Sequence, residues 1–259
     1  MRLLEGRKGI IFGVANERSL AWHIARNLID HGAECGFTYL PGDKNEMRIK
    51  RTLDEGSVEN AWIQPCDAGS DADLDRAFES VAERFGEISF VVHSIAFANR
   101  DYLRMGKFTE TPRDVFTQAL DISAYTLIAI AQRARHLMPH GGSILALTYY
   151  GAEKVVPGYN VMGVAKAALE ASARYLAADL GPHGIRVNTL SAGPVRTLAA
   201  MAVGGIDEVF EWVEKKAPLQ RNINPDEVGR SAVYLISDLS SGVTGENIYV
   251  DAGYNTMGL

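Results

Sequence analysis

Two tyrosines and a lysine have the types and spacing to steady negative charge on a bound ligand. They lie in Thr148-Tyr149-Tyr150-Gly151-Ala152-Glu153-Lys154-Val155-Val156-Pro157-Gly158-Tyr159-Asn160-Val161-Met162-Gly163-Val164-Ala165-Lys166. If a helix begins at Tyr159, Lys166 follows seven residues later and shares its face, two turns away. Two turns span about 10 Å, so the pair brackets a ligand rather than forming a close contact. A lysine so placed binds sugar hydroxyls, and its charge favours tyrosinate character, tuning Tyr159 as a donor to an oxygen that gains charge. Tyr149 stands at the end of the preceding apolar run. The chain has 10 tyrosines, and aromatic side chains pack well, so residue type alone leaves a packing role open for each.

The elements that must position these groups are legible as apolar runs separated by helical segments: KGIIFGVA, ECGFTYL, NAWIQPC, ISFVVHSIAF, GSILALTYY, GIRVNTLSA and ENIYVDAG. Nearly continuous apolar strands alternating with helices predict a parallel sheet covered on both faces, a doubly wound α/β Rossmann fold with seven strands. Leu20, Ile24 and Leu28 recur at helical spacing over Leu20 to Asp30, with Gly32 as a stop. Pro112 opens a second crossover helix running towards Pro139. No repeat or linker marks a domain boundary across residues 1–259, and Thr197 to Gly205 is the least regular stretch.

In such a fold a dinucleotide lies at the carboxyl ends of the strands. The first strand runs into Gly13-Val14-Ala15-Asn16-Glu17-Arg18-Ser19, where Gly13 lets the backbone approach a pyrophosphate and Ser19 caps the next helix and offers its hydroxyl to phosphate. Only one glycine is present, so an ordinary capped helix remains open. Asp67 follows the third strand and can accept from an adenine amino group or make a turn. Small residues in His93-Ser94-Ile95-Ala96-Phe97-Ala98 admit a nicotinamide, with His93 read as a packing residue. After the second strand, Leu40 is uncharged and Lys44 lies too far along to meet a 2′-phosphate, which favours NADH over NADPH.

The 259 residues carry a net charge of -6, with 47% hydrophobic and 22% charged residues. This composition fits a globular protein and disfavours nucleic-acid binding. Cys35 and Cys66 have no metal-ligand or disulfide spacing. Without a signal-peptide pattern or an apolar run of about 18 residues, the chain reads as cytoplasmic and not membrane-bound.

Taken together, GVANERSLAWHIA, HSIAFA, the Tyr149/Tyr159/Lys166 spacing with YNVMGVAK, the run from Ser191 to Ala200, and SGVTGENIYVDAG resemble the short-chain dehydrogenase/reductase superfamily. Within it, they resemble the divergent bacterial enoyl-acyl-carrier-protein reductases of the FabI type, along the whole chain. Six residues between Tyr159 and Lys166, against the three usual in the superfamily, mark that branch. The resemblance implies NADH-dependent reduction of the trans-2 double bond of an enoyl thioester on acyl-carrier protein, the last step of the fatty acid elongation cycle. It implies that Tyr159 hydrogen-bonds the thioester carbonyl, that Lys166 binds the nicotinamide ribose, and that Tyr149 is the second active-site tyrosine. Gly13, Ser19, Leu20, Leu40, Asp67, Ala68 and Ile95 would line the cofactor, as would Val195, Arg196, Thr197, Leu198 and Ala199. Ala98 would touch the acyl chain. No metal is implied, and a homotetramer is, with interfaces on the helices from Pro112 and Tyr159 and on the final strand. Leu40, often polar in the family, and Ala96, often glycine, depart from its pattern.

A carbonyl-reducing superfamily member would carry a serine and a Tyr-x-x-x-Lys spacing. A non-catalytic NAD-binding regulator would have lost the tyrosines or the lysine. The apolar stretch Leu198-Ala199-Ala200-Met201-Ala202-Val203-Gly204-Gly205-Ile206 predicts a substrate lid over about residues 197–216, with a short buried helix and a glycine turn as the other reading.

Overall fold

The computed structural model describes residues 2–198, 200–202 and 205–258. Ala199, on which one cofactor contact falls, and Val203 and Gly204, in the expected lid, lie outside the described residues. Seven parallel strands form one sheet: β1 (Lys8–Phe12), β2 (Glu34–Tyr39), β3 (Ile63–Pro65), β4 (Phe90–His93), β5 (Gly142–Thr148), β6 (Ile185–Ala192) and β7 (Asn247–Val250). Their order is β3-β2-β1-β4-β5-β6-β7, so the winding reverses between β1 and β4. Both faces are covered. Ile10 and Phe12 enter one core cluster while Ile11 enters the other, the two-residue alternation of a strand with helices on either side.

The covering helices are α1 (Leu20–Asp30), α2 (Asp43–Glu55), α3 (Asp71–Phe85), α4 (Arg113–Leu120), α5 (Thr126–Ala134), α6 (Val161–Leu180), α7 (Ile206–Lys216) and α8 (Pro225–Ile236). α1 has the expected limits. The helix expected from Pro112 is instead two helices joined by a π-helical turn, Asp121–Tyr125. Such turns frequently mark functional sites. Here Ser123 in the turn accepts from Phe97 N at 2.9 Å and donates to Phe97 O at 3.1 Å. Thr126 just beyond donates to Ile122 O at 2.7 Å and pairs with His93 Nε2 at 2.8 Å. The turn therefore clamps the loop that leaves β4. Part of the expected lid is α7 itself, docked by buried Phe210 and Val213; before it lie a short 3-10 turn, Ala200–Ala202, and Gly205 in a left-handed conformation. Among the described residues no helix is long and apolar enough to cross a membrane.

Candidate active site

The winding reverses between the paired strands β1 and β4, the switch point beyond whose carboxyl ends a doubly wound sheet offers a crevice, and the packing there explains the single glycine of the first turn. Gly13 has φ +101, and a Cβ there would stand 2.0 Å from Ser94 O. The close approach that demands glycine is thus to the chain's own β4 end; the open backbone towards a ligand follows from it. Ser19 occupies the N-cap position of α1 but makes no side-chain cap. Its hydroxyl donates to Asn16 O at 2.6 Å, while Asn16 Oδ1 accepts from Arg18 N at 3.0 Å. The asparagine, not the serine, organises the turn. The first amides of α1 remain uncapped by any side chain, and no acidic residue sits in its first turn, which suits an anion such as a pyrophosphate. A dinucleotide therefore fits this cradle.

Beyond the crevice stand the tyrosines and the lysine. Tyr159 precedes α6 rather than beginning it, because Gly158 (φ +81) and Asn160 (φ +45) place left-handed backbone on either side. Asn160 is held there by Nδ2, which donates to Tyr102 O at 2.6 Å and Arg104 O at 2.7 Å. The Tyr149 and Tyr159 rings meet edge to face, centroids 5.0 Å apart. Tyr149's hydroxyl is enclosed and has no partner among the described residues. Tyr159 packs with Ala98, Phe116 and Leu120 against the small cluster of Leu103, Ala119, Val161, Met162 and Ala165, so the expected substrate contact Ala98 and the expected donor share one apolar wall.

Lys166 is 6% exposed and donates one Nζ–H to Leu147 O at 2.7 Å, leaving two donors for ligand hydroxyls. Burial pulls its ammonium down to about 8. The phenol of Tyr159 is held above its ordinary range by burial, then by Tyr149 and Glu170. Its environment thus differs from the expected one, in which Lys166 favours tyrosinate: desolvation is the largest influence and keeps the phenol neutral. His93, fully buried and held down to about 3 by burial and then by Lys166, is a neutral packing residue bonded to Thr126.

The remaining expected positions fall around the crevice with differing freedom. Asp67 is exposed and Oδ1 accepts from Gly69 N at 3.0 Å, a turn that leaves its other oxygen available. Ala68 and Ile95 pack against one main cluster, Leu20 and Val195 against the other. Leu40 is 59% exposed at the end of β2. Of the basic residues on α2, Arg51 reaches the first turn, 3.9 Å from Glu17. Arg196 turns its side chain to α7, pairing with Asp207 at 2.9 Å and lying 4.5 Å above the Phe210 ring. Thr197 Oγ1 accepts from Ala200 N at 3.1 Å, and Leu198 is exposed. Sequence reasoning missed Asn160, Ser123, Thr148 and Glu170. Of these only Glu170 had a readable signal, one helical turn beyond Lys166.

Many chemistries use a dinucleotide crevice at this switch point. The edge-to-face pair of tyrosines before α6, with a buried lysine on that helix, narrows them to one class, the Rossmann-fold oxidoreductases of short-chain dehydrogenase/reductase type. Within that class the chain belongs to the family described as enoyl-(acyl carrier protein) reductase, whose model matches residues 13–255. It is 50% identical over 258 residues, covering 100% of both chains, to the NADH enoyl-[acyl-carrier-protein] reductase FabI of Bacillus cereus. It is 48% identical over 254 residues, 98% of each chain, to the NADPH FabI of Staphylococcus aureus. The crystal structure of the Bacillus cereus enoyl-acyl carrier protein reductase with NADP+ and indole naphthyridinone superimposes with a TM-score of 0.96, at 50% identity and covering 100% of both chains.

Proposed function

We propose that this chain uses NADH to reduce the trans-2 double bond of enoyl thioesters carried by acyl-carrier protein. The observation that carries the reading is the Tyr149–Tyr159 pair, 5.0 Å between centroids, set with buried Lys166 beside a crevice suited to a dinucleotide. When bound, the nicotinamide supplies a hydride to the β-carbon of the enoyl thioester. Charge then gathers on the thioester oxygen, where Tyr159, neutral and poor in competing partners, donates a hydrogen bond, until a proton drawn ultimately from solvent reaches the α-carbon and completes the saturation. Lys166 holds ribose hydroxyls with its two spare donors. The apolar wall at Ala98 seats the acyl chain and excludes water from the carbonyl. Gly13, Ser19, Leu20, Asp67, Ala68, Ile95 and the backbone from Val195 to Leu198 line the dinucleotide.

NADH is the expected cofactor because Leu40, exposed at the end of β2, offers a 2′-phosphate no countercharge. Following NADH absorbance with a crotonyl or longer enoyl thioester tests both statements. Saturation of the double bond with a higher kcat/KM for NADH than for NADPH is expected. No turnover rejects the activity, and equal or better use of NADPH rejects the preference.

The stretch over about residues 197–216 covers the acyl site as a lid, of which α7 is the docked part. Leu198 and Met201 support this as exposed apolar side chains, 52% and 54%, beside the cofactor-lining loop. The amides of Leu198, Ala200 and Met201 are expected to exchange quickly without ligand and to gain protection in a ternary complex; protection already present in the free enzyme rejects the lid. The chain assembles as a cytoplasmic homotetramer, a reading supported by exposed Tyr125 and Ile128 on the first interface segment and Tyr175 on α6. A monomeric mass in light scattering at micromolar concentration is incompatible with it.

A further inference from the structure

Two consecutive residues at the end of β5 are stitched to two consecutive turns of α6. Leu147 O accepts from Lys166 Nζ at 2.7 Å, and Thr148 Oγ1 donates to Glu170 Oε1 at 2.6 Å. Four residues apart on one helix, Lys166 and Glu170 share a face directed at the strand end that carries Tyr149. Thr148, Lys166 and Glu170 are 5%, 6% and 6% exposed. A carboxylate this deep is retained only with partners for its lone pairs and a compensating charge. The hydroxyl of Thr148 supplies the first; for the second, Arg174 and then Lys166, one turn away on either side along α6, act on the carboxyl.

We propose that Glu170, held by Thr148, is a positioning residue for the reaction: it keeps Lys166 in its ammonium form and fixed against β5, ready for the cofactor ribose. The role rests on the functional reading above, because NADH binding reports it. The other groups facing Lys166 do not supply that countercharge. His93 on β4 is neutral, and Tyr149 and Tyr159 are held above the ordinary tyrosine range. Asp121 and Tyr125 of the π turn, and Arg113 and Asp114 of α4, have exposed side chains. Around Glu170, Glu153 and Tyr249 bond each other at the sheet edge, and Arg174 lies one turn further along α6. Burial lowers Lys166 to about 8 while Glu170 acts in the opposite direction. Burial raises the Glu170 carboxyl, and the Thr148 hydroxyl draws it back.

The test is NADH binding, followed by nucleotide fluorescence across neutral to alkaline pH, in the wild type and in Glu170→Gln, whose amide oxygen still accepts from Thr148. Only the ammonium binds ribose well, so wild-type affinity is expected to fall as pH rises through about 8. In Glu170→Gln the fall should begin at lower pH, displaced by roughly one unit, so the two proteins differ most near neutrality and above. A merely structural role would weaken binding equally at every pH. Should Glu170→Gln fail to fold, Thr148→Val is expected to displace the fall in the same direction and Thr148→Ser to restore it. A wild type that binds no NADH at any pH overturns the functional reading and this role with it. A wild-type fall near 8 that Glu170→Gln leaves in place, or that Thr148→Val and Thr148→Ser share unchanged, overturns the role of Glu170 alone.

Discussion

Tyr159→Phe is expected to lower kcat with an enoyl thioester by about 10²–10³-fold while leaving NADH affinity within about a factor of two. The substitution removes one oxygen and leaves the ring. That ring packs edge to face on Tyr149 and against the cluster around Ala119 and Met162, so the variant retains its folded geometry. The lost oxygen makes no hydrogen bond to another described residue, and no buried partner is orphaned by its removal. What disappears is a donor aimed at charge that develops only after hydride arrives, which is why the loss falls on turnover rather than on cofactor binding. Burial, Tyr149 and Glu170 all hold the phenol neutral, so a tyrosinate-dependent rise in rate near neutral pH is not expected. Steady-state kinetics and NADH titration on the same preparation decide the matter. Unchanged turnover would remove Tyr159 from the reaction, and an equal loss in NADH affinity would make it a packing residue.

Lys166→Ala should weaken NADH binding by about 10–100-fold, the range expected for one or two charge-assisted hydrogen bonds, and should lower turnover as well. This substitution also costs stability. It leaves Leu147 O without the donor it has at 2.7 Å, a loss of about 1–3 kcal/mol. Lys166→Met separates the two effects by keeping an apolar stem in the same channel. Its thermal midpoint should lie above that of the alanine variant, while its NADH affinity should be equally poor and should lose the decline that the wild type shows through about pH 8. Wild-type affinity in either variant would show that ribose is held elsewhere.

The amino-acid sequence alone determined the layers of this protein. Seven apolar runs predicted seven strands, and the period of Leu20, Ile24 and Leu28 placed α1 over Leu20–Asp30. Both are decided by neighbours within a few positions: a strand buried on both faces must be apolar throughout, and a helix must repeat near every fourth residue. The motif around Tyr159 and Lys166 was legible for the same reason, since its members lie close together in the chain.

Tertiary structure decided what the side chains do. The pattern from Pro112 is helical throughout, so the π turn was not legible; its placement goes with Ser123 and Thr126 pairing with Phe97 and His93, at sequence separations of 26 and 33. Tyr159 was expected to begin α6 but precedes it, because Asn160 is pinned to Tyr102 and Arg104 across 58 and 56 residues. Ser19 had the residue type of a cap yet its hydroxyl donates a hydrogen bond to Asn16 O, and Arg196 had the charge of a ligand contact yet lies against Phe210 and Asp207 of α7. The tuning of Lys166 by Glu170 and burial likewise requires α6 to be seated on β5. Residue type and spacing state what a group is able to bond; only packing, by bringing distant segments within 3 Å or so and removing water, selects which bond it makes.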